Sequence, residues 1–268
     1  FIQSKMYHNG VSCNDCHNPH TLKLKKEGND LCLSCHETKY SEKSHHLHKV
    51  NTESAQCINC HMTGKTYMGN DFRRDHSFRV PRPDQSQKYG TPNACINCHE
   101  NKSNEWASEI IITNYGEERP DHFSNYLLAG VKGDKNALKH LITHENYPEI
   151  ARATALKYYS SYQLTRDYIY GVIEFLNDSS ALVRKEAVNT LSAFGASSFS
   201  QYLTPLLMDS VRLVRIRTAQ ALNQQTSDYL QELDMNADFA SGQYHIAVNH
   251  QINGRLNLAK QAYQKSIK

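Results

Sequence analysis

All eight cysteines of the chain fall in four C-x-x-C-H units: Cys13-Asn14-Asp15-Cys16-His17, Cys32-Leu33-Ser34-Cys35-His36, Cys57-Ile58-Asn59-Cys60-His61 and Cys95-Ile96-Asn97-Cys98-His99. Two thiols three positions apart can reach the two vinyl groups of one porphyrin. The next residue then lies under the iron as an imidazole ligand. Paired cysteines at this spacing also occur as redox dithiols, structural disulfides and zinc sites. None of those requires a histidine after every pair, and no cysteine is left over. The pattern predicts four haem c groups. Their attachment residues would be Cys13, Cys16, Cys32, Cys35, Cys57, Cys60, Cys95 and Cys98, and their proximal ligands His17, His36, His61 and His99.

A six-coordinate iron needs a second axial ligand. Outside the motifs, the same part of the chain offers His8, His20, His45, His46, His48 and His76. His20, three residues after His17, cannot easily bend back to the same iron, so a neighbouring haem is its expected target. Adjacent side chains diverge in Ser44-His45-His46-Leu47-His48, so two of these three histidines can serve two irons, and His46 and His48 are preferred to His45. His8 reads first as a propionate or surface contact. Thioether ligation by Met6, Met62 or Met68 is the alternative and would raise the potential of the haem concerned. His122, His140, His144, His245 and His250 read as surface or packing residues. Arg73, Arg74, Arg79 and Arg82, with Lys88, are natural partners for propionates, or else a solvated basic loop. Trp106 and Tyr89 pack on the last porphyrin or seal the boundary that follows it.

The elements that must hold these residues differ along the chain. Residues 1–102 are rich in His, Cys, Asn, Gly and Pro and show no helical periodicity beyond two turns. Such a stretch cannot build an ordinary apolar core, so the porphyrins are expected to be the core, wrapped by short helices and loops. From about Ser103, Leu, Ile, Ala, Val and Tyr recur at helical spacing. Ile150-Ala151-Arg152, Leu182-Val183-Arg184 and Leu213-Val214-Arg215 repeat at 32 and 31 residues (150 to 182, 182 to 213), each at the start of a second helix. That is a helix-pair solenoid of HEAT type. Gly254, Ala259, Tyr263 and Ser266 stand at the offsets of a tetratricopeptide repeat, or of a generic helical hairpin. The expected fold is mainly α: a haem-packed, loop-rich domain over 1–102, then an all-α helix-pair solenoid over 103–268 ending in a tetratricopeptide-like hairpin.

With 268 residues and a net charge of +3 spread among interleaved acids and bases, no basic face announces nucleic acid. No apolar run is long enough to span a membrane. Haem attachment to C-x-x-C-H occurs outside the cytoplasmic membrane, so a periplasmic or extracellular protein is expected, its leader removed and its last repeat cut short.

Three further stretches carry a resemblance: Gln3-Ser4-Lys5-Met6-Tyr7 leading to Gly10-Val11-Ser12-Cys13; Cys57 to Met68 with Arg73-Arg74-Asp75-His76-Ser77-Phe78-Arg79-Val80-Pro81-Arg82-Pro83-Asp84; and Gly90-Thr91-Pro92-Asn93-Ala94-Cys95. Over residues 1–106 the chain resembles multihaem cytochromes related to the nitrite-reductase and ammonia-oxidiser cytochrome superfamily, particularly members fused to tetratricopeptide or HEAT repeats. It departs from them at Thr63, where they commonly carry Pro. The resemblance implies a distal-ligand role for His76. It also implies one of two activities: electron transfer through closed bis-histidine haems, or oxidoreduction of a small nitrogen compound at an open one. An open site usually shows as an altered motif or a shortage of distal histidines. Neither is present, so an electron carrier is expected rather than an enzyme. Its partners would be redox proteins and, through the helical domain, further copies of the chain in a conducting filament.

Overall fold

The computed structural model describes residues 1–162 and 166–267. Among them are seventeen α-helices and one two-stranded hairpin, so the fold is mainly α with a helical repeat region. Two compact units divide the chain, Phe1–Leu128 and Ala129–Lys268.

In the first unit the helices around the motifs are one turn long: Cys13–Cys16, Asp30–Leu33, Lys43–His46 and Cys57–His61. One turn leaves nearly every helical carbonyl without an internal partner, so loops and side chains must supply the rest. An antiparallel hairpin pairs Gly64–Tyr67 with Asp71–Arg74, Gly64 opposite Arg74. The Phe72 ring lies so close over Gly64 that a Cβ there would stand 2.2 Å from it. The helix Pro83–Tyr89 starts at its proline and ends at Gly90, whose φ is +73°. It packs against the helix Asn104–Tyr115.

The units meet after Leu128, not at the Lys102/Ser103 boundary expected from composition. Residues 103–128 are tied to the motif-bearing segment. Gln85 Nε2 donates to Ser124 Oγ and Asn125 Oδ1, both at 2.9 Å, and Arg82 reaches Asn125 at 3.1 Å. Composition cannot see this, because an amphipathic helix reads the same whichever neighbour covers its apolar face.

The second unit stacks helix pairs. Glu149–Ser160, Ala181–Ala193 and Arg212–Ala221 are the successive second helices, and each begins with one of the repeated triplets. Leu138, Leu141, Ile142, Leu156, Val183, Leu191, Leu203 and Val214 are fully buried between them. The arginine of each triplet runs an ion-pair ladder along the stack. Arg152 donates to the Asp178 carboxylate at 2.5 and 3.1 Å. Arg184 grips the Asp209 carboxylate at 2.8 Å through two nitrogens and the Asp178 carbonyl at 2.8 Å. Arg215 takes the Asp209 carbonyl at 2.7 Å and the Asp228 carboxylate at 2.5 Å. The unit ends in a hairpin of Ala240–Ile252 and Leu256–Ser266, with Gly254 at φ +72° between them and Ala259 and Ala262 buried. No helix of the described residues is long and apolar enough to cross a membrane.

Candidate functional site

Three of the four motifs are pinned by side chains. Asp15 accepts from the Ser12 N–H at 2.7 Å and the Ser12 hydroxyl at 2.9 Å, closing a capping box at the first motif and holding its own carboxyl below the usual range. At the third, Asn29 Oδ1 accepts from the Cys57 N–H at 2.9 Å. Arg74 closes the other end of that helix, donating to the carbonyls of Ile58 and Met62 at 3.2 Å and to Asn59 Oδ1 at 3.1 Å. At the fourth, Asn93 Oδ1 accepts from Cys95 N–H at 2.8 Å and Ile96 N–H at 3.3 Å. The arginines expected at propionates are thus engaged with the protein itself. Arg73 pairs with Asp71, Arg79 with Asp75 and Arg82 with Asp84, while Arg74 caps the third motif.

Three motif histidines have a second histidine ring opposite them. His76 stands 6.4 Å from His17, His45 stands 6.2 Å from His61, and His48 stands 6.0 Å from His99; the planes are inclined by 32°, 8° and 29°. Two metal–imidazole bonds of about 2.0 Å, with half a ring on either side, place ring centres about 6 Å apart. The spacing fits two imidazoles about one metal ion.

The ring nitrogens agree. A ligand histidine normally donates Nδ1–H to an oxygen and turns Nε2 to the metal. Nδ1 of His17 meets the Leu22 carbonyl at 2.9 Å, that of His61 the Arg79 carbonyl at 2.7 Å, that of His76 the Arg74 carbonyl at 3.0 Å and that of His48 the His46 carbonyl at 2.5 Å. Burial, and then the neighbouring His61 and His46, hold His45 below the usual imidazole value. That favours the neutral form a metal requires.

His46 is used differently from the expectation that preferred it to His45. Its Nδ1 accepts from the His48 N–H at 3.2 Å and its Nε2 meets the Ser41 carbonyl at 3.1 Å, so both nitrogens are spent inside the turn. Leu47, at φ +64°, reverses the chain there and sends His48 towards His99. His36 is the exposed one of the four motif histidines. Its ring neighbour is Tyr40, edge-on at 6.1 Å, and no histidine is found opposite it among the described residues. His20 lies in a loop closed by Leu22 N–H to Asn18 O at 2.8 Å and Lys25 N–H to Cys16 O at 2.9 Å. His8 packs edge-on against Tyr7. Met68 sits in the hairpin turn, 97 % exposed. His122 shares its Nδ1 with Ser124 Oγ at 2.8 Å.

All eight thiols are free. Among the described residues, no group of three or more His, Cys, Asp or Glu side chains converges as a zinc site would require. Thiols of successive motifs adjoin. A hydrogen bond from Cys32 lowers Cys57 to about 7 and pushes Cys32 itself up. Burial, then Asp15 and Cys35, raise Cys16; burial, then Cys95 and Cys98, raise Cys60. The apolar side chains of this region lie open instead of packing together, Leu22 at 76 % and Val80 at 71 % exposure. A porphyrin face beside the thiol pairs would cover such side chains. Cysteine pairs, ring spacing, ring nitrogens and uncovered apolar groups all fit haem.

Residues 6–41 match the family described as the doubled CXXCH motif, a signature of multihaem c-type cytochromes, and residues 135–223 match HEAT repeats. No curated protein and no solved structure matches this chain.

Proposed function

We propose that this chain transfers electrons through four covalently held haems outside the cytoplasmic membrane. The observation that carries this reading is the set of three facing histidine pairs. In this reading the four cysteine pairs hold the porphyrins and His17, His36, His61 and His99 are the proximal ligands. His76, His45 and His48 are the distal ligands opposite His17, His61 and His99. His20, in the loop that follows the first motif, is the histidine left for the iron at His36. His46 holds the turn, and His8 remains a surface contact.

Haem supplies an iron that cycles between two oxidation states. The protein's part would be to hold the group through the cysteine pairs and the facing histidines and to keep substrate away. Carbonyls accepting from Nδ1–H raise the basicity of the imidazoles and so favour ferric iron and low potentials. Adjoining thiols keep successive attachment points close, which suits passage of electrons in sequence order. The solenoid offers an extended surface to redox proteins or to further copies in a filament.

The exposed His36, faced by Tyr40, favours one second reading: an oxidoreductase acting on a small nitrogen compound at that iron. Ferric spectra of the purified holoprotein, with its haem-loaded mass, separate the two. Four haems, all low-spin and inert to cyanide, are expected. One high-spin haem that binds cyanide or nitrite rapidly would replace the carrier with the enzyme. His48→Ala should turn one haem high-spin from a fully low-spin start, whereas His46→Ala should not.

A further inference from the structure

The helix Asn104–Tyr115 follows the last motif and contains no cysteine or histidine, yet it touches two of the facing histidine pairs. Near its start, the Trp106 ring lies 4.9 Å from the His99 ring, tilted by 55°. Its last residue, Tyr115, donates its hydroxyl to the carbonyl of His45. Nine residues separate the two side chains, about 14 Å at 1.5 Å per residue, so one rigid element spans from one pair to the next.

Both ends are anchored. Ser103 caps the helix by accepting from the Trp106 N–H at 3.2 Å. Asn93, which fixes the start of the fourth motif, donates to Asn104 Oδ1 at 2.8 Å. Burial, then the thiols of Cys60 and Cys95, push the Tyr115 hydroxyl up, which places it where the third and fourth motifs adjoin.

We infer that this helix is a positioning element of the redox site, Trp106 fixing the ring plane of His99 and Tyr115 fixing the backbone that carries His45. The inference rests on the axial assignments proposed above. A partner outside the first coordination shell sets ligand orientation, and orientation tunes the metal. The near-parallel planes of His45 and His61, 8° apart, are the quantity Tyr115 protects.

Electron paramagnetic resonance tests this, since the g values of a low-spin ferric haem report the angle between its two imidazole planes. The samples are the full-length haem-loaded chain, Tyr115→Phe, Trp106→Ala and Trp106→Phe. Tyr115→Phe is expected to displace one low-spin signal and Trp106→Ala a different one, with four haems retained in each, and Trp106→Phe to restore the second. Spectra of all variants superimposable on the parent would overturn the inference and leave bis-histidine ligation standing. A high-spin parent would instead remove the assignments beneath it. If Trp106→Ala does not mature, Tyr115→Phe decides alone, because it deletes one oxygen and leaves the packing in place.

Discussion

In the repeat unit Leu138, Leu141, Ile142, Leu156, Leu191 and Val214 are sealed from solvent, whereas residues 1–102 bury little that is apolar beyond Ala55 and Pro83 and leave Leu22, Leu24 and Val80 more than half exposed. The second unit closes around its own side chains. The first does not, and it spends its polar side chains on holding loops: Asn29 reaches the Ala55 carbonyl and Arg74 the Ile58 carbonyl, while Asn93 holds the Cys95 N–H two residues on. The difference shows where a sequence's periodicity has meaning. Apolar spacing reports a core only when the chain itself is the core.

The largest expected effect breaks the comparison outright if it fails. When the chain is made without haem attachment, residues 1–128 should lose all protection from proteolysis, while 129–268 should keep a helical circular-dichroism spectrum and a cooperative melt. A protease-resistant first unit without haem would show that it has a core of its own.

The next effect runs the other way. Arg152 and Asp178 form an ion pair with side chains only 4 % and 6 % exposed. Asp178→Ala leaves the guanidinium buried without its carboxylate, which costs about 3–5 kcal/mol. The melting temperature of the repeat unit should fall by many degrees and the haem absorbance should stay as it was. A shift in that absorbance would mean that the units are not independent.

The smallest effect is a pH dependence of the second unit. Hydrogen bonds from Arg184 hold the Asp209 carboxyl below the usual carboxylate range. The stability this pair contributes is fully present above the unfolded value of about 3.9. It is lost as pH falls through the depressed folded value. Acid titration should weaken the repeat unit below about pH 4, and Asp209→Asn should flatten that limb.

The attachment motifs and the helix-pair repeat were legible in the sequence because each is a local spacing. Two thiols three positions apart, or a triplet recurring at 31 to 32 residues, need no knowledge of distant contacts. The facing of histidine rings was not legible in this way. His76 faces His17 across 59 residues (17 to 76), and the ring beside His61 is that of His45 and not of His46, just before Leu47 at a positive φ, a conformation that leucine does not advertise. The basic stretch has a second role for a related reason. Its side chains carry the charge that a sequence displays, but the carbonyls of Arg74 and Arg79 are what reach His76 and His61. The helix Asn104–Tyr115 groups with the motif-bearing unit, which composition cannot show, because Trp106 and Tyr115 declare their neighbours only in three dimensions.

The arginine ladder has a mechanical side. Asp178 is gripped by Arg152 through its carboxylate and by Arg184 through its carbonyl, and Asp209 is gripped the same way by Arg184 and Arg215. A pull on one helix pair is therefore carried to the next through side chains as well as through the connecting loop. Such a spine resists stretching along its own line and leaves the opposite edge free to open or close by small rotations between pairs. Under load the array would bend about one stiff edge, as a leaf spring does.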